Sequence, residues 1–214
     1  MNALADNDVL FKGACYGLLS DLISVVCAKG DVAGLLGAAR YVVPKKIQRA
    51  KLKGSADQAL RVFSKFLERA TVLEPTDGEQ QLAADLELAA QKLHLSLDSG
   101  ESQLCAVLVS RLVPFLLTGD KRAIQAMEAL IDGNSRLSAM CGKIKCLEQL
   151  VAGALLQGNP LDVRSAVCGE PEIDKALAIC FSCKDPMASA ATFTQGLQSY
   201  ISDLRERAGR VLAP

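Results

Sequence analysis

The stretch SQLCAVLVSRLVPFLLTG, residues 102–119, decides how this chain is read. It is the best candidate for a membrane span, but Arg111 sits in its middle and Pro114 follows. It falls short of the roughly 20 clean apolar residues that a spanning helix needs. The same residues read well as a buried helix from about Ser102 to Leu117. DSGE (98–101) breaks the chain before it and TGD (118–120) after it.

Composition extends that reading outward. Half of the 214 residues are apolar, aromatics make up 4% and Trp is absent. Mean hydropathy is +0.21. The apolar mass is Leu, Ala, Val and Ile, rich in helix formers and poor in aromatic strand formers. The chain is therefore expected to be all-α, with helices buried on more than one side.

Helix punctuation supports the same expectation. A first helix is predicted from Asp6 to Ala28, ended by Lys29 and Gly30, and a second from Asp31 to about Val43. Pro44 suits the first turn of a further helix reaching Gly54. Another helix starts at Ser55, EPTDGE (74–79) is the plainest loop, and a helix follows through Leu97. After the 102–117 segment come helices to about Asp132, from Ser135 to Gln157, near 160–168 and 171–184, and from about Ser189 to Gly209.

Paired as hairpins, these segments recur at intervals scattered around 40 residues, the rhythm of HEAT or armadillo units. The residues themselves do not repeat. The predicted fold is an irregular multi-helix bundle or a short curved array of helical hairpins. It forms a single domain over 1–214, with possible subdivision near 74–79 or 98–101.

Catalytic signals are sparse. His94 is the single histidine, no G-x-S-x-G elbow exposes a serine, and no glycine-rich loop is built to cradle phosphate. E-x-x-H is missing, and Asp85 and Glu87, two apart on a helix, face different directions. Cys180 and Cys183 have Cys-x-x-Cys spacing with Cys168 upstream, but a second pair at zinc-knuckle spacing is lacking. Neither metal nor cofactor is expected. The eight cysteines in a chain with no export signal read as free thiols, which points to a reducing compartment, cytoplasm or nucleus.

One charge feature stands out in a chain of net charge zero. In VVPKKIQRAKLKG (42–54), a helical projection gathers Lys45, Lys46, Arg49 and Lys53 into an arc of about 100°, opposite Val43, Ile47 and Ala50. Such a face can meet an acidic protein or a phosphate backbone. The acidic run from Glu74 to Glu101 could instead neutralise it within the fold. The C-terminal segment offers a second candidate contact surface in Phe193, Leu197, Tyr200 and Leu204.

The sequence thus predicts a non-enzymatic helical scaffold or adaptor. It would bind protein partners, acidic ones among them, form homo-oligomers and have no membrane span. The alternative is a nucleic-acid-binding protein that uses the basic helix.

Overall fold

The structure, a computed structural model, describes residues 1–28 and 31–214. The predicted stop of the first helix at Lys29 and Gly30 lies outside the described residues. The decisive stretch divides in two. Helix α6 (Ser99–Ser110) ends at Arg111, and strand β4 (Phe115–Thr118) follows. Leu112 adopts a left-handed φ of 52°, and Val113 N–H closes back on the Leu108 carbonyl at 3.1 Å. Pro114 disfavours helical geometry at the residue before it, so the chain leaves the turn extended.

Four more strands were hidden in the same way: β1 (Ala3–Ala5), β2 (Ala33–Leu36), β3 (Thr71–Leu73) and β5 (Ile144–Cys146). They form a five-stranded sheet in the order β3-β2-β1-β4-β5, and every pairing is parallel. The protein is α/β, a doubly wound parallel sheet, which overturns the all-α expectation and the HEAT-like or armadillo-like array. The apparent rhythm came from strand-helix units, whose length overlaps that of helical hairpins.

Two apolar cores lie on the two sides of the sheet, and alternate strand residues enter opposite cores. Ala3, Ala5, Leu35 and Leu117 join one, with α1 (Asn7–Tyr16), α2 (Leu19–Ser24), α3 (Ala39–Arg49) and α4 (Ala56–Leu67). That side is completed by α8 (Leu147–Gln157), α9 (Pro160–Gly169) and α10 (Lys175–Cys180). Leu4, Leu36, Leu116 and Ile144 enter the other core, with α5 (Asp77–Lys92), α6 and α7 (Lys121–Leu130).

Several predicted helices are shortened for identifiable reasons. Gly17, at φ 70°, gives α1 a left-handed cap that glycine adopts without steric cost. His94, also left-handed at φ 55°, ends α5 before Leu97. Pro44 lies inside α3 and does not begin a new helix. The predicted 135–157 helix is a 3-10 turn, then β5, then α8. Arg111, the residue that broke the membrane-span pattern, ties α6 to α5 by donating to Glu79 Oε1 at 2.6 Å and Oε2 at 2.7 Å. No helix of the described residues is long and apolar enough to cross a membrane.

Helix α11 (Ala190–Ala208) spans both cores: Phe193 and Leu197 enter the first, Ile201 and Leu204 the second. Phe193 is fully buried and stacks on Phe181 with ring centroids 5.2 Å apart. Phe193→Ala should therefore destabilise the protein by about 3–5 kcal/mol and lower the melting temperature by roughly 10 °C in a thermal scan. A change of only a degree or two would contradict this core role.

Candidate active site at the sheet switch point

In a doubly wound sheet the chain leaves the central strands in opposite directions, opening a crevice at their carboxyl ends. Here that point lies between β1 and β4, neighbours in the sheet. Each strand runs directly into an acid: Asp6 follows Ala5, and Asp120 follows Thr118 and Gly119.

Asp6 caps α1, its Oδ1 accepting Asn7 N–H at 2.6 Å, and its side chain is buried. Asp120 caps α7, accepting Arg122 N–H at 2.8 Å. Buried Thr118 links the two strand ends. Its hydroxyl donates to Asp6 Oδ2 at 3.3 Å and accepts Asp120 N–H at 3.2 Å. A third helix start adds Asp98 and Glu101, joined in a reciprocal capping box: Asp98 Oδ1 accepts Glu101 N–H at 2.8 Å, and Glu101 Oε2 accepts Asp98 N–H at 2.9 Å. The same side chains that satisfy the orphan amides of α1, α6 and α7 thus bring carboxylates together.

Their charges are felt. Burial, then the neighbouring Asp8, pushes Asp6 up to about 6. Burial also pushes Glu101 up to about 8, with Asp98, Asp120 and Asp6 adding to it against one stabilising amide. Burial would raise Asp120 too, but Arg122 and the amides of residues 122 and 123 outweigh it and hold its carboxyl below the ordinary value.

The surrounding cations already have partners. Lys12 bridges Asp8 at 2.6 Å and Asp174 at 2.7 Å. Lys121 meets the buried Glu148 at 2.5 Å, and Arg122 meets Asp120 at 3.3 Å. Among the described residues, Asp6, Asp98 and Glu101 have no salt-bridge partner. Asp8, Lys12, Gly119, Asp120, Lys121 and Arg122 line a shallow cleft of about 260 Å³. A Cβ at position 119 would meet the Asp8 carboxylate, which would have to move aside.

The donor set is hard oxygen, which suits Mg²⁺ or Mn²⁺. Among the described residues no three carboxylates close on a common point. Mg²⁺ is commonly held by one or two carboxylates and completes its shell with water and substrate phosphate. Asp6 and Asp120 supply two carboxylates for such a site, linked through Thr118, whose hydroxyl meets the Asp6 carboxylate and the Asp120 backbone amide.

The residues singled out from sequence lie elsewhere. Lys45, Lys46 and Arg49 are exposed on α3 and Lys53 is exposed just beyond it, while Val43 and Ile47 are fully buried beneath. None of these four cations lines the cleft. The acidic α5 packs in the core on the opposite side of the sheet from α3. Among the described residues none of the four forms a salt bridge. Phe193, Leu197 and Leu204 are core residues. Tyr200 is half-buried and carries Lys121 Nζ 5.3 Å from its ring centroid, so it alone of that group reaches the site.

His94 is exposed. The eight free thiols become six among the described residues, because Cys168 and Cys183 form a disulfide; Cys180 of the Cys-x-x-Cys pair remains a free, buried thiol. Sequence reading missed Asp6, Glu101, Thr118 and Asp120 as site residues. For Asp6, Thr118 and Asp120 the signal is a short apolar run ending in an acid, ALAD and FLLTGD, a pattern that serves equally as helix punctuation.

Comparison with protein-family models, curated protein sequences and solved structures gave no match.

Proposed function

We propose that this protein is a divalent-cation-dependent phosphodiester hydrolase acting at the β1–β4 switch point. One observation carries the reading: carboxylates gathered at the carboxyl ends of two central parallel strands, of which the buried Asp6 has no salt-bridge partner among the described residues. A structural role is served poorly by uncompensated buried charge. A cation site is served well by it.

Asp6 and Asp120 are the residues that would hold the ion, with Thr118 fixing their spacing. The bound cation would lower the pKa of a coordinated water and neutralise charge on the phosphoryl oxygens. Glu101 faces both acids and is the candidate to accept a proton from the attacking water. The water oxygen bonds to phosphorus, the bond to one ester oxygen breaks, and that oxygen takes up the proton. Lys121 and Arg122, on the cleft wall, are the candidates to orient the phosphate, exchanging their bonds to Glu148 and Asp120 for it.

The cleft is shallow and mostly charged, whereas small-molecule sites are enclosed and largely apolar. That favours a polymeric diester, a nucleic acid, passing across the surface. The expectation of a non-enzymatic scaffold rests on sparse catalytic motifs and an all-helical chain, and the second of these does not hold. On this frame it becomes the second reading, supported by the exposed α3 cations.

The test is incubation of the protein with single-stranded RNA, single-stranded DNA and a chromogenic aryl phosphodiester, with Mg²⁺ or Mn²⁺ and with EDTA. Cleavage that requires the ion is expected. No cleavage of any substrate, together with no rise in melting temperature on adding either ion, would sink the proposal and leave the partner-binding scaffold.

A further inference from the structure

We infer that a second surface, formed by the basic side of α3 and the α9–α10 corner, binds the backbone of single-stranded nucleic acid. It depends on the proposed function only in preferring nucleic acid over other polyanions.

The two parts of this surface are physically joined. Glu170, just past α9, accepts the backbone N–H groups of Lys53 at 2.8 Å and Gly54 at 2.5 Å. That fixes the end of the basic segment against the corner. The Cys168–Cys183 disulfide ties α9 to the turn after α10. Between these anchors lies a cavity of about 680 Å³, whose lining includes Lys53, Lys175 and Lys184 together with Pro171, Ala178 and Ile179.

Lys45, Lys46 and Arg49 continue the positive surface along α3, and all six cations are exposed. Among the described residues none of the six forms a salt bridge. Three acids stand close by, among them Asp185, exposed next to Lys184 and accepting the Met187 amide. Glu170 is occupied by the two amides, and Glu172, in the cavity lining, is the one opposing charge there.

Charge complementarity calls for a polyanion, and the cavity narrows the choice. Apolar side chains beside lysines suit an unpaired base with its phosphate. An acidic peptide would leave that apolar surface unfilled, and a duplex would keep its bases stacked. Packed surfaces of this kind also bind without any divalent ion, unlike the carboxylate cleft.

The experiment is fluorescence anisotropy with a labelled single-stranded 12-mer in EDTA. Two charge reversals are compared: Lys45→Glu with Lys46→Glu and Arg49→Glu, and separately Lys175→Glu with Lys184→Glu. Thermal melts confirm that each variant folds. Wild type should bind with log affinity falling against log salt at a slope of about −4, as six cations on a single strand imply. Each variant should weaken binding by about tenfold or more.

Absence of binding at low salt overturns the inference, as does binding unchanged in both variants. Equal affinity for poly-glutamate overturns the assignment to nucleic acid. Binding as described without any hydrolysis would defeat only the proposed function; hydrolysis with unchanged binding in both variants would defeat only this surface.

Discussion

Asp6→Asn is expected to stabilise the cation-free protein and to remove its hydrolytic activity. The two effects share one cause. Asp6 is buried beside Asp8 with no basic partner among the described residues, and its pKa, pushed up to about 6, means that folding opposes its charge. Above that pH the ionised group weakens the native state by about 2 kcal/mol. Asparagine removes the charge yet remains a good helix cap, so its oxygen can still accept the Asn7 amide. The melting temperature at pH 7.5 without divalent ions should rise by roughly 4–8 °C.

Hydrolysis should fall by about a hundredfold or more, since even residues outside the immediate ligand set of a metal are worth 10–100-fold. Differential scanning fluorimetry and a cleavage assay on the same preparation check both parts. A variant that loses stability, or one that keeps full activity, would refute the assignment of Asp6. A purely structural Asp6 would not produce a more stable and inactive protein.

Glu101 should give the cation-free protein an unusual pH profile. Its pKa is raised from 4.5 to about 8, so the folded state holds its proton more tightly than the unfolded chain does. This contribution is fully present below about pH 4.5 and is lost as pH rises through about 8. After allowance for solvent screening it amounts to about 2–3 kcal/mol, a decline of roughly 5–10 °C in melting temperature. Asp6 adds the same trend between its ordinary value of 3.8 and about 6.

Glu79 works in the opposite sense, because its hydrogen bonds to Arg111 lower it to about 2. Its stabilisation is present above 4.5 and lost as pH falls through about 2, a separate window. Glu101→Gln keeps the acceptor for Asp98 N–H and should flatten most of the decline between pH 5 and 8. Adding Mg²⁺ to wild type at pH 8 should restore stability, because the ion favours the ionised carboxylates. Melting curves at half-unit pH steps, with and without Mg²⁺, read all of this directly. A wild-type profile that is flat from pH 5 to 8 would rule out the buried-carboxylate account.

The helices were legible because their caps are written locally. Ser55, Thr76, Asp98, Asp120, Asn159 and Ser189 each cap the helix that their residue type announces. The strands were not legible. Ala3–Ala5, Ala33–Leu36 and Phe115–Thr118 are three or four residues long and built largely of Ala and Leu, which favour helices. Buried on both faces, they carry no alternation of polar and apolar residues. A short continuous apolar run of that kind cannot be told from a buried helix by periodicity.

The exposed cations of α3 were also legible, since helical projection needs only local geometry. What no local reading could supply was the fate of the acidic 74–101 segment. Its helix packs across the sheet from α3, which leaves Lys45, Lys46, Arg49 and Lys53 unneutralised by it.

By itself, then, the sequence determined several helix starts, the basic face and, among the described residues, the want of a membrane-spanning helix, all properties of neighbouring residues. Only the tertiary structure decided the fold class and the candidate site. Asp6, Glu101 and Asp120 lie up to 114 positions apart in the chain. Parallel pairing of β1 with β4 sets Thr118 beside Asp6 and so links Asp6 to the Asp120 backbone, and the start of α6 adds Glu101. Hydrogen bonds between strands depend on residues far apart in sequence, so a partnership of that kind leaves no mark on any single stretch.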